Sequence, residues 1–137
     1  MDRPTAFAAI ALAAVSWDGR LTKAGSRSLR HVLDYRQPYS SWSDGRMVSL
    51  MDGLLVSLRE MGPEALMAEA SRELPAHLRQ TAFATAAEIM RSDGSLEEEE
   101  ERILGRLSQL LGLETQQTRA IIEVMDVLHT SLEDIPL

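Results

Sequence analysis

The sequence has no cysteine, and only 4% of its residues are aromatic. Without thiols there are no disulfides, thiolate metal sites, Cys nucleophiles or redox switches, which suits a reducing compartment such as the cytoplasm. Lysine is almost missing as well: of the fourteen basic residues only Lys23 is not an arginine. Long apolar runs are absent too. The longest, residues 6–15 (AFAAIALAAV), falls well short of the roughly 20 residues needed to span a bilayer. Asp2 stands where a secretory leader carries positive charge, and the run recurs in the repeat described below, so it reads as a structural helix. No stretch alternates with period two for long enough to be a strand. Nucleophile elbows, phosphate loops, dinucleotide fingerprints and paired-histidine zinc motifs are all absent, and His31, His77 and His129 lie far apart, each within a predicted helix. The chain is therefore expected not to be an enzyme.

What is present is 137 residues, 45% of them hydrophobic, with a formal charge of -7, enough for one compact domain over 1–137 and too apolar for disorder. The charge is uneven. Residues 1–46 hold seven basic and four acidic side chains, a balance of +3, and residues 47–137 hold seven and seventeen, a balance of -10. An acidic chain of this kind is not expected to bind nucleic acid, which requires a basic face against the phosphates.

Helical periodicity runs nearly throughout. Phe7, Ile10, Ala11 and Ala14 form one apolar stripe; Met47, Leu50, Met51, Leu54, Leu58 and Met61 form a second. Ile103, Leu104, Leu107, Leu110 and Leu111 form a third, and Ile121, Val124, Met125 and Leu128 a fourth. Gly19, Pro38, the Gly62-Pro63 pair, Pro75, Gly94 and Gly112 fall where helices should stop. Seven helices are predicted, at about 4–17, 22–34, 44–61, 63–72, 76–92, 97–111 and 115–130. The intervening 36–43 (RQPYSSWS) reads as a surface crossover within the domain. The methionines on the third helix are read as core filler, with a dimer face left open.

Aligned with itself so that Ala9 falls on Ala84, the chain also matches at Ala11/Ala86, Asp18/Asp93, Gly19/Gly94, Leu21/Leu96, Arg27/Arg102 and Leu29/Leu104. The identities cluster on one D-G-x-L turn, which gives two helical-hairpin repeats, about 5–34 and about 78–111, in an all-α bundle with pseudo-symmetry.

The second copy of that turn reads Ser92-Asp93-Gly94-Ser95-Leu96, followed by Glu97, Glu98, Glu99, Glu100 and Glu101. Glu97 falls at the helix N-cap and Glu100 at its third position, so Asp93 and Glu100 can approach across the turn and offer oxygens to a hard cation such as calcium or magnesium. The spacing matches the second half of an EF-hand loop, but Ile89 and Arg91 occupy the ligand positions of the first half, so a complete EF-hand is excluded. The same residues have a purely structural use, because acidic side chains favour the unpaired amides of a helix start and Glu100 suits a capping box.

Two helical repeats with D-G-x-L turns, a Glu-bearing helix start after the second, and the closing Leu110-Leu111-Gly112-Leu113 resemble the tellurite-resistance TerB family and its TerB-like relatives over about residues 5–130. The resemblance implies an all-helical bundle whose two turns pool carboxylates into a divalent-cation site. It implies metal ligation by Asp93, Glu100 and Asp18, with Glu97 as a weaker member. The acidic residue expected in the first motif is replaced by Gly25. The resemblance further implies a role in bacterial tellurium and stress responses, with a protein partner that is membrane-associated in the family's setting. The competing expectation is a metal-free interaction or scaffold module in which Arg20, Arg27 and Arg30 on the second helix face an acidic partner or a membrane surface.

Overall fold

The computed structural model describes residues 1–18, 20–91 and 96–133. Among the described residues there are seven α-helices and no strand: α1 (Arg3–Val15), α2 (Lys23–Asp34), α3 (Asp44–Met61), α4 (Pro63–Glu73), α5 (Ala76–Arg91), α6 (Glu98–Leu110) and α7 (Thr115–Leu128). The all-α bundle and its helix count match the periodicity, with ends that differ by a residue or two, as fraying termini do.

Capping chemistry sets most of the helix starts. The Asp2 carboxylate accepts from the Thr5 amide at 2.9 Å, the Thr22 hydroxyl from the Gly25 amide at 3.0 Å, and the Ser43 hydroxyl from the Arg46 amide at 3.2 Å. These bonds to the Asp2 carboxylate hold its pKa below the usual value. At the α3–α4 junction Gly62 ends one helix and begins the next with φ +82°, a conformation that favours glycine, and Pro63 opens α4 where its missing amide costs nothing.

α1 is the centre of the bundle and packs against α2, α3, α4 and α5. The sequence suggests a single buried stripe, Phe7, Ile10, Ala11 and Ala14; instead every residue of 6–14 is buried. A helix apolar all round has no face to give to water, and alanine at six of these nine positions lets neighbouring helices approach from every side.

The segment 36–43 is also more deeply built in than a surface crossover. It contains a 3₁₀ turn at Tyr39–Ser41, and Tyr39 is buried with its hydroxyl donating to the Pro4 carbonyl at 2.6 Å. Burial pushes the Tyr39 phenol well above its ordinary pKa. Trp42 meets Tyr39 edge to face at 5.2 Å, and the Arg46 guanidinium lies 3.8 Å from the Trp42 ring centroid. The two aromatics thus bind the crossover to the start of α1 and to α3.

Arg79 on α5 donates to the carbonyls of Leu74 at 3.2 Å and Leu111 at 3.3 Å, which ties together the C-terminal ends of α4 and α6. Among the described residues no helix is long and apolar enough to cross a membrane.

Candidate functional site

The acidic turn is the first place to look. Asp93 lies outside the described residues. Glu97 is the N-cap of α6 and Glu100 its third residue, as the spacing predicts, and the two form a capping box in which the Glu97 amide donates to Glu100 Oε1 at 3.1 Å. Glu99 forms a two-pronged pair with Arg102, at 3.2 and 3.0 Å, and the guanidinium lowers the Glu99 pKa. Asp18 is exposed at the other turn, where its Oδ1 accepts from the Arg20 amide at 3.1 Å. The described residues contain no group of three or more His, Asp or Glu side chains placed to hold a metal ion. Asp18, Glu97 and Glu100 therefore make no such centre by themselves, and Asp93 would have to complete one.

Gly25, which stands where an acidic residue is expected after the first D-G-x-L turn, has a packing reason of its own. Gly25 is the third residue of α2, matching Glu100 in α6, and a Cβ there would lie 2.9 Å from Val15 Cγ2 and 3.2 Å from the Thr22 hydroxyl that caps its amide. The end of α1 comes so close to the start of α2 that a side chain at that position would have to displace Val15.

Of the three arginines, Arg27 and Arg30 lie three residues apart on α2, on one side of the helix. Arg20 precedes α2 instead of lying on it. Arg30 pairs with Asp34 at 2.9 Å, which engages its charge within the helix, and Arg27 is exposed at the edge of a groove. Among the histidines, His129 is the C-cap of α7, one residue beyond the helix expected to contain it, and its Nε2 lies 3.0 Å from both oxygens of Glu88 on α5.

That groove is what the sequence does not reveal. Three confluent cavities of about 570, 480 and 350 Å³ run along α5. Thr81, Ala84, Thr85 and Glu88 of α5 form the floor. Arg27 and His31 of α2, with Tyr35 and Arg36 just after it, form one wall, and Ala120, Ile121, Val124 and Met125 of α7 form the other. The fourth apolar stripe does not reach the core: α7 buries none of its residues, and Val124 and Leu128 are 61% and 65% exposed. α7 is held at the edge of the bundle by half-buried Ile121, Ile122 and Met125, by the Glu88–His129 pair, and by Arg91 Nε donating to Asp126 at 3.2 Å. The sequence carries one sign of this: the row Ala120, Val124, Val127 and Leu128 lies on a different side of α7 from Ile122 and Met125.

Compared with protein-family models, with curated proteins and with solved structures, the chain matches none.

Proposed function

We propose that this chain is a non-enzymatic, cytoplasmic interaction module with TerB-like architecture, and that it works by holding another polypeptide in the groove between α2, α5 and α7. The placement of α7 carries this reading: a whole helix contributes nothing fully buried and leaves apolar side chains beside a groove. Scattered exposed apolar residues are ordinary, whereas a contiguous row along a concave surface marks a contact with another molecule. The two-repeat architecture is supported by the caps, since the alignment that sets Asp18 on Asp93 also sets the N-cap Thr22 on the N-cap Glu97, and Lys23, the first residue of α2, on Glu98, the first of α6. A photo-crosslinking side chain at position 84, on the groove floor, should give a polypeptide adduct of defined mass in bacterial cells that make the protein. A correctly folded variant that gives no polypeptide adduct removes this reading.

A second reading keeps the repeat turns as a weak calcium or magnesium site linked to tellurite and stress responses. It is supported by Glu97 and Glu100 meeting at one helix start, shortly after Asp93 in the chain. Titration with calcium, magnesium, manganese and zinc, followed by NMR at the Gly94 and Glu100 amides, tests it. Resonances and a Tm that stay unchanged at millimolar metal would eliminate the site.

A further inference from the structure

Exposed apolar side chains gather on the face that holds the groove. Of the nine large ones among the described residues, five are Val124, Val127 and Leu128 on α7, Leu132 just after it, and Tyr35 on the opposite wall. Val124, Val127 and Leu128 share one side of α7 and form a convex edge beside the concave floor at Ala84. One face therefore carries both a ridge and a groove. Two copies related by a two-fold axis satisfy both at once, each ridge entering the other copy's groove.

The charges along the groove select the same occupant. At the end near Ile89 the lining holds Arg27, His31 and Glu88; Glu88 is engaged by His129, whereas Arg27 makes no ion pair among the described residues. At the end near Gln80 the charged lining residue is Glu114, the N-cap of α7, and it too makes no ion pair among the described residues. Arg79, close to that end, is turned to the carbonyls of Leu74 and Leu111. Arg36, between the two ends, lies over Phe7, 5.2 Å from the ring centroid. The groove is thus basic at one end and acidic at the other. A two-fold axis across it lays each end on the opposite end of the second copy and sets Glu114 of each copy against Arg27 of the other. An unrelated polypeptide would have to reproduce an apolar ridge with that reversed pair of charges; a second copy already carries both.

We infer that the groove is a dimer interface, and that its occupant is the α7 edge of a second copy of this chain, packed antiparallel across a two-fold axis. This deepens the interaction reading above and rests on it.

The test is sedimentation of the full chain from micromolar to millimolar concentration, where the mass should rise from 15.2 kDa toward twice that value. Val124→Glu alters an exposed side chain, so the monomer should keep its Tm while the dimer weakens at least about tenfold. Arg27→Glu and Glu114→Arg should each weaken the dimer as well, because each sets like charges together at both contacts. An equimolar mixture of those two variants should dimerise again, since opposite charges then meet at both. If Glu114→Arg frays α7, Val124→Glu decides. A chain that stays at 15.2 kDa at millimolar concentration, a dimer indifferent to Val124→Glu, or folded charge variants whose mixture does not recover would each overturn the proposal. The position-84 crosslink separates this inference from the reading beneath it. An adduct of twice the chain's mass supports the dimer; an adduct with any other polypeptide leaves the interaction reading standing and overturns the dimer; absence of a polypeptide adduct removes both.

Discussion

Gly25 and Gly53 both lie inside helices but face different surroundings, and the difference can be weighed. Around Gly53 in α3 nothing lies within 4 Å of the place a methyl group would take, whereas at Gly25 that place is 2.9 Å from Val15 Cγ2 and 3.2 Å from Thr22 Oγ1. Replacing an unconstrained helical glycine by alanine stabilises by about 0.5–1 kcal/mol. At Gly25 the same gain is set against overpacking of roughly 1–3 kcal/mol, so the net effect runs from nothing to about 2.5 kcal/mol of destabilisation. An unfolding entropy of about 2.1 cal/mol/K per residue gives 137 residues about 0.29 kcal/mol/K, so 1 kcal/mol moves Tm by about 3.5 °C. Gly53→Ala is expected to raise Tm by about 2–4 °C, and Gly25→Ala to leave it unchanged or lower it by up to about 9 °C. Scanning calorimetry of the two variants side by side makes the comparison. Equal upward shifts would refute the close approach of α1 to α2, and with it the reason given for glycine at this position. Gly25→Glu, which places a longer side chain against Val15, should lower Tm further.

Ser71 is buried in α4 and its hydroxyl has no hydrogen-bond partner among the described residues, so Ser71→Ala should stabilise the protein by up to about 1 kcal/mol in urea unfolding; a destabilisation instead would mean that the hydroxyl is satisfied in solution. Tyr39→Phe leaves the Pro4 carbonyl without its donor and should cost about 1–2 kcal/mol by the same measurement, with no loss expected only if water replaces the phenol. Asp2 has a lowered folded-state pKa through its bonds to Thr5, so its contribution is complete above the unfolded value near 3.8 and is lost as pH falls through the folded value. Asp2→Asn keeps the cap without the titration, and its Tm should therefore fall less than that of the wild type between pH 5 and pH 2. An identical fall in the two proteins would assign acid sensitivity to other carboxylates.

The helices are legible in the sequence because their signals are local. Ser43 followed by Asp44 starts α3, Gly62-Pro63 separates α3 from α4, and Glu97 with Glu100 marks the start of α6. What periodicity does not supply is the partner of each face. The stripe on α1 reads like the stripe on α7, yet α1 is enclosed on all sides and α7 lies at the margin, because the number of covering helices is set by topology and not by either segment. For the same reason Tyr39 reads as a loop residue: its contact with Pro4 spans 35 positions of sequence. The acidic turn illustrates a different gap, since Glu97 and Glu100 stand where the spacing puts them and their bonds are those of a helix cap. The groove is the least legible feature, being made of ordinary residues on three helices whose meeting is a property of the assembled fold.

The enclosure of α1 also has a consequence in time. Its apolar segment is synthesised well before the helices that cover it, and the last of these, α5, is complete only at Arg91. At about 5–20 residues per second the ribosome needs roughly 4–15 seconds to travel from Val15 to that point, far longer than helix formation or collapse requires. For those seconds each new chain carries a greasy helix that only α2 and α3 can cover, its remaining sides waiting for α4 and α5.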